Sequence, residues 1–229
     1  MQNIFGSIIQ FLVKCFTFVH DDVIASVITN KNISYGLAII VFTLIIRTLL
    51  LPLSMKAMKS QLKMADIQPE VKKIQLKYKK DPAKLNEETM KMYKEKGVSP
   101  LGGCLPMLIQ MPVLMSLYYV FRDPVFKGIG FLWINDLSKT DMTDPKRFFI
   151  LAILSGATTY ISSTLLAAKG DNAQAKQAST MNLVMGVFLT VMSASMNASL
   201  VMYWILNNVY QIGQTLVIKR SHKKSIEEA

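Results

Sequence analysis

Ile33 to Met55 reads ISYGLAIIVFTLIIRTLLLPLSM, 23 residues in which Arg47 is the one formal charge. About 20 apolar residues, each adding roughly 1.5 Å, carry a helix across a hydrocarbon core of roughly 30 Å, so this stretch is long enough to span a bilayer. Outward from it, charge-free windows recur: 25 residues between Lys96 and Arg122, 21 between Arg147 and Lys169, and 42 between Lys176 and Lys219. The first two each fit one span, and the third fits two with a tight turn. The pattern predicts an all-α membrane protein with five transmembrane helices, at residues 33–55, 104–121, 148–168, 181–197 and 199–218. A charged fraction of 18%, below the roughly 25% of soluble domains, agrees and excludes a soluble enzyme.

The connecting segments set the expected orientation, because Lys and Arg in short loops collect on the cytosolic side. Residues 56–99 carry 12 lysines, the segment 169–180 two basic residues and the tail 219–229 four, all on one side of a five-span chain. The segment 122–147 is mixed, with five basic and four acidic residues, and falls on the opposite side with the N-terminus. This predicts a multi-pass membrane protein, N-terminus outside and C-terminus in the cytosol. The formal charge of +11 is read as topology before it is read as nucleic-acid binding.

The stretch 1–32 is apolar from Ile4 to Val19 but contains Lys14, which favours an amphipathic helix lying in the outer interface over a sixth span. Between Lys56 and Lys96 the residues favour helix, and Asp81-Pro82 supplies an N-cap and a first-turn proline. Gly97 then stops the second helix. A cytosolic helical hairpin is expected over 56–99, with Ile67, Val71, Ile74 and Tyr78 striped at helical spacing against Leu85, Met92 and Tyr93.

Arg47 has 14 mostly apolar residues before it in its span and eight after it. Placing it against lipid unpaired would cost at least about 3 kcal/mol, so it is expected to face water. Gly36, Thr43, Arg47 and Ser54 share one helical face, and Tyr203, Asn207, Gln211 and Gln214 share another, extended by Trp204 and Asn208. Gln110 in the second span, Ser155, Thr158 and Ser162 in the third, and Asn182 and Ser193 in the fourth complete the candidate lining of a shared polar cavity. Individually such Ser and Thr residues more often bond their own helix or a neighbouring one. The five expected spans contain no Asp or Glu, and the two histidines, His20 and His222, lie outside them. Ion-coupled transport and intramembrane proteolysis therefore lack their usual residues. Two cysteines without CxxC spacing call for no metal, and no cofactor or catalytic residue is expected. Met107, Met111 and Met115 form one stripe, and Met181, Met185, Met192 and Met196 another, read as adaptable core packing or as a greasy slide for varied helices.

RTLLLPLSMKAMKS from Arg47, IQPEVKKIQLKY from Ile67, MYKEKGVSPLGGCLPMLIQMPVLMSLYYVFR from Met92, FLWINDLS from Phe131 and YWILNNVYQIGQ from Tyr203 follow in an order that resembles the YidC/Oxa/Alb family of membrane protein insertases. The resemblance is to its short five-span, Gram-positive type and covers about residues 33–218. It implies a groove open to cytosol and lipid, with Arg47 matching the family's arginine, that receives the hydrophilic segment of a nascent membrane protein. The hydrophobic helix would pass into lipid beside spans three and five, with no bond made or broken. The implied substrate-groove residues are Arg47, Thr43, Gln110, Ser162, Asn182, Trp204, Asn207 and Gln211. The implied partners are nascent single- and double-span membrane proteins, a ribosome or targeting factors at the hairpin and the 169–180 loop, anionic lipids, and the Sec translocon as collaborator. The chain departs from the pattern in lacking a large outer domain and a lipoprotein signal, and in a tail of 11 residues beyond Ile218. The reading from a different class is a small channel or facilitator carrying an anionic solute past Arg47.

Overall fold

The computed structural model describes residues 2–98, 105–121, 126–140, 150–167 and 173–227. Cys104, where the second expected span begins, lies outside them. The described chain is built of helices. α1 (Gln2–Phe18) runs into a π-helical turn (Val19–Ile24), followed by α2 (Lys31–Leu49) and α3 (Leu51–Asp66). Next come α4 (Gln68–Lys77), α5 (Pro82–Glu95) and α6 (Leu105–Phe121), then α7 (Ile150–Leu166), α8 (Ala173–Ala194) and α9 (Ala198–Glu227). By length and apolarity α2 qualifies as a span, while α7 and α8 carry shorter apolar stretches, Ile150–Leu165 and Ser179–Ala194.

Local chemistry sets the helix ends. The Asn30 side chain accepts from the backbone N–H groups of Asn32 and Ile33 and caps α2. Asp81 accepts from the Lys84 N–H at 3.1 Å, with Pro82 in the first turn of α5. Gly97, at φ +62°, ends α5 in a Schellman motif: Val98 N–H reaches the Tyr93 carbonyl at 2.9 Å and Gly97 N–H the Lys94 carbonyl at 3.1 Å. Pro52 and Pro69 occupy the first turns of α3 and α4, so α2, α3 and α4 follow one another with single-residue breaks at Leu50 and Ile67.

Three boundaries differ from the hydropathy windows. The first expected span, 33–55, is divided at Leu50; α8 begins at Ala173, inside the segment expected as the 169–180 loop; and α9 runs through Ile218 into the expected tail, to Glu227. Hydropathy marks where charge begins, whereas helical hydrogen bonding continues through Lys and Gln, which are good helix formers.

The core joins α1, α2, α6, α9 and the 126–140 loop. Phe16 lies at 5.5 Å from Phe42 and 5.9 Å from Phe121, both edge-on, and Phe126 lies at 5.2 Å from Phe121 and 4.9 Å from Tyr35. α1 and the π-helical turn that continues it thus contribute Leu12, Phe16 and Val19, at steps of four and three, to the interior, while Phe11 and Phe18 stay exposed. His20, in the π-helical turn, stacks on Tyr35 at 3.6 Å and meets the Ser34 hydroxyl at 3.1 Å.

α7 packs between α8 and α9. A Cβ at Gly156 would lie 1.8 Å from Thr190 Oγ1, so α7 and α8 approach closely because residue 156 has no side chain. Ser155 and Ser193, both buried, share a hydrogen bond of 2.7 Å across the same interface.

The 126–140 loop covers the end of the bundle where α9 starts. Its carbonyls at Lys139 and Leu137 accept the α9 N–H groups of Ala198 at 2.8 Å and Ser199 at 3.0 Å, satisfying donors that a helix start leaves open. Leu137 is fully buried. Burial alone would raise the Asp136 carboxyl, but the Ser138 hydroxyl and amide and the Gly128 amide outweigh it and hold Asp136 below the usual carboxylate range.

α3 joins the bundle to α4 and α5. Met58 and Leu62 bury against Ile218 of α9, and Gln214 donates to the Ser54 hydroxyl at 2.7 Å. Farther out, Ile67, Val71 and Val98 form a separate cluster with Met64, Met92 and Tyr93, and Lys96 pairs with Glu70 at 2.9 Å. Both charged groups are half exposed, so the pair adds at most about 1 kcal/mol. The expected stripe therefore packs through Ile67 and Val71 against Met92 and Tyr93, with Leu85 outside the cluster.

Candidate functional site

Arg47 sits in the last turn of α2, half-buried, and points at α9. Its Nε donates to the Asn207 side-chain oxygen at 2.5 Å, and a terminal nitrogen lies 3.5 Å from the Asn207 backbone carbonyl. The guanidinium carbon stands 6.0 Å from the centre of the Tyr210 ring. Among the described residues no carboxylate lies within ion-pair distance of Arg47. A neutral amide oxygen therefore orients the cation without cancelling its charge.

The other candidate residues are spread over α2, α6, α7, α8 and α9. Thr43, one turn before Arg47, is buried and returns its hydroxyl to the Ile39 carbonyl at 2.6 Å, so it serves its own helix. Gln110 of α6 donates to the Tyr203 hydroxyl at 2.6 Å, one turn of α9 before Asn207. Trp204 donates to Thr159 at 3.1 Å, and Asn208 donates to Thr158 at 3.2 Å and Thr159 at 2.7 Å, fastening α9 to α7. Gln211 follows Asn207 by one turn, and its backbone carbonyl accepts from Thr215. Ser162 is buried on α7, and Asn182 is half-buried on α8; neither is brought to Arg47.

Asn207 is the residue of the expected set that touches the arginine. Tyr210 and Thr159 were outside that set, although each had a signal: Tyr210 follows Asn207 by three positions, and Thr159 adjoins Thr158. Beside the arginine a cavity of about 220 Å³ opens between α2 and α9, lined by Ile40, Thr43, Leu44, Leu206, Val209 and Tyr210. The site thus sets one uncompensated cation against an apolar seam. Among the described residues no group of His, Cys, Asp or Glu is placed to hold a metal.

Residues 27–225 match the family model described as 60Kd inner membrane protein. The chain is 48% identical over 214 residues to the membrane protein insertase YidC of Clostridium tetani, a match covering 93% of this chain and 94% of that one. It is 46% identical to the membrane protein insertase YidC of Clostridium acetobutylicum, covering 100% of this chain and 90% of the relative. Its fold is similar to a crystal structure of an active YidC insertase with the first transmembrane domain resolved, at a TM-score of 0.67 and 29% identity. That likeness covers 91% of this chain and 45% of the solved one, so this chain spans under half of the larger protein.

Proposed function

The chain belongs to the 60Kd inner membrane protein family, whose similar relatives are bacterial membrane protein insertases, and on that premise we propose how its residues perform insertion. A hydrophilic, often acidic segment of a nascent membrane protein enters from the cytosol and is drawn toward Arg47. Its apolar segment meanwhile partitions into lipid. The observation that carries this reading is the pairing of Arg47 with the neutral Asn207 amide beside an apolar cavity. A carboxylate in that place would have quenched the charge; an amide leaves it to act on the substrate.

In this reading the protein has five spans, an outer N-terminus and a cytosolic C-terminus, and forms or breaks no bond. α4 and α5 form the cytosolic hairpin. With 12 lysines against six acidic residues, segment 56–99 recruits ribosomes or targeting factors and anionic head groups, an attraction felt over roughly 8 Å at physiological salt. The bundle acts as a chaperone for single- and double-span substrates, alone or beside the Sec translocon.

Reconstitution tests it. Proteoliposomes of the purified chain, given an in vitro translated single-span protein with an acidic N-terminal tail, are expected to protect that tail from external protease and to show no selective ion conductance. Anion flux without insertion would sink the reading.

A further inference from the structure

The 126–140 loop contains a turn whose backbone is out of keeping with its sequence. Phe131 and Ile134 exchange both backbone hydrogen bonds at 2.8 Å, leaving Leu132 and Trp133 as a two-residue tip. Leu132 adopts φ +52°, the one non-glycine residue with positive φ among the described residues, at a position that such tight turns fill with Gly or Asn. Its side chain is nonetheless 75% exposed, and Trp133 is 39% exposed. A strained backbone holding out a bare leucine gains nothing from water; an apolar surrounding would favour it.

The turn's depth along α2 identifies those surroundings. The Gly130 N–H donates to the Asn32 side chain at 3.0 Å, level with the polar cap of α2. Phe131 lies on Gly36, where a Cβ would come within 1.9 Å of its ring. Gly36 is four residues, or about 6 Å, farther into the helix than Asn32. The tip then closes over a cavity of about 130 Å³ lined wholly by apolar side chains, among them Ile40, another turn deeper, with Leu151 and Leu154 of α7 and Leu206 of α9. Exposed Ile153 and Leu154 continue this apolar surface along α7. The segment read from sequence as a water-facing loop therefore folds back below the polar end of α2.

We propose that the Leu132–Trp133 tip is a re-entrant anchor seated in the lipid leaflet on the Asn32 side of the membrane, with Leu132 in the upper acyl region and the Trp133 indole among the head groups. It rests on the reading of α2 and α7 as spans. Trp is enriched at that depth because its ring is apolar and its N–H is not. The anchor holds the 126–140 loop, and with it the start of α9, at a fixed height in the bilayer.

The chain's two tryptophans make the test direct, since Trp204→Phe leaves Trp133 as the sole indole. The full chain is reconstituted in phosphatidylcholine vesicles carrying bromine either near the glycerol end or near the tail of the acyl chain. Bromine near the glycerol end is expected to cut Trp133 emission about twofold, more than bromine at the tail, with little quenching by aqueous iodide. If Trp204→Phe disturbs the fold, subtracting the Trp133→Phe spectrum from the wild type isolates the same signal. Leu132→Asn tolerates the positive φ but removes the apolar side chain, and is expected to reduce quenching by lipid and raise quenching by iodide. A Trp133 quenched by iodide and untouched by brominated lipid overturns the anchor, as does a Leu132→Asn variant quenched like the parent. Ile153→Trp in the background of both Trp→Phe changes separates the two readings: its quenching by lipid alongside a water-exposed Trp133 rejects the anchor alone, whereas two water-exposed indoles reject the spans and the anchor together.

Discussion

Replacing Asn207 by Asp tests the electrostatic role of Arg47 without altering shape. The two side chains are isosteric, so the carboxylate takes the place of an oxygen already 2.5 Å from Arg47 Nε. At a charge separation of about 4 Å and an effective dielectric of about 20, the new pair attracts by about 4 kcal/mol, enough to hold the guanidinium and cancel its distant field. A substrate carboxylate about 6 Å away would lose an attraction of about 0.7 kcal/mol in bulk water or about 3 kcal/mol at the lower dielectric. Those limits correspond to about threefold and about a hundredfold in rate, and a hydrated cavity falls between them, near tenfold. Protease protection in proteoliposomes, comparing one substrate with an acidic tail and the same substrate with a neutral tail, reads the effect. Asn207→Asp and Arg47→Ala are both expected to lower acidic-tail insertion about tenfold relative to the neutral tail, while Arg47→Lys keeps most of it. Asn207→Leu retains the charge and therefore the acidic-tail preference, but loses about 1–3 kcal/mol of stability through the unmet donor. An Asn207→Asp protein with the parent's preference for acidic tails would refute the argument.

Replacing Gln68–Glu95 by a short linker removes α4 and α5 but spares the Met58, Leu62 and Ile218 cluster; the remaining bundle is expected to keep its helical circular dichroism while insertion weakens most at low substrate concentration. Gly156→Leu forces a side chain against Thr190 Oγ1 and should lower the thermal midpoint in detergent by a clear margin, whereas Gly6→Leu, with nothing within 4 Å of its Cβ, should leave it unchanged. Asp136, held below the ordinary carboxylate range, stabilises the loop above the unfolded value of about 3.9 and loses that contribution as pH falls through its lower folded value. Hydrogen exchange at Ser138 and Ala198 should rise over that acidic range, and in Asp136→Asn the added dependence should vanish.

Sequence chemistry located the ends of α5 because each is a one-residue signal: Asp81 and Pro82 start it, and Gly97 at positive φ ends it. Pro52 lies in the first turn of α3, beside the Leu50 break that the apolar window 33–55 did not show. The start of α8 and the end of α9 were hidden, since a charged residue closes a hydropathy window without ending a helix. The polar faces of α2 and α9 could be read from helical spacing, but the match of Arg47 with Asn207 could not. It depends on the vertical register of two helices 160 residues apart, which side-chain packing sets. The same uncertainty explains Thr159: adjacent helical residues differ by about 100° in direction, and the tilt of α9 decides which of two neighbouring threonines it meets. The N-terminal segment carried a helical stripe in Leu12, Phe16 and Val19, yet its apolar residues on the opposite side obscured which face the core would take.

The aromatic end of the bundle, where Phe16, Tyr35, Phe121 and Phe126 meet beneath the 126–140 loop, has an electrical consequence. If water and ions reach Arg47 from the cytosol, the conducting medium penetrates part-way across the membrane and the voltage drop concentrates over the dry layer that remains. Each elementary charge crossing that layer exchanges roughly 2.3 kcal/mol with the field per 100 mV, over a path much shorter than the bilayer. Under that condition the plug of phenylalanine and tyrosine rings would act as the thin insulator of a capacitor. On the proposed insertase reading, that layer would limit leakage and would focus the membrane voltage on the last step of a substrate's passage, where a negatively charged tail moving outward would be driven forward by the field.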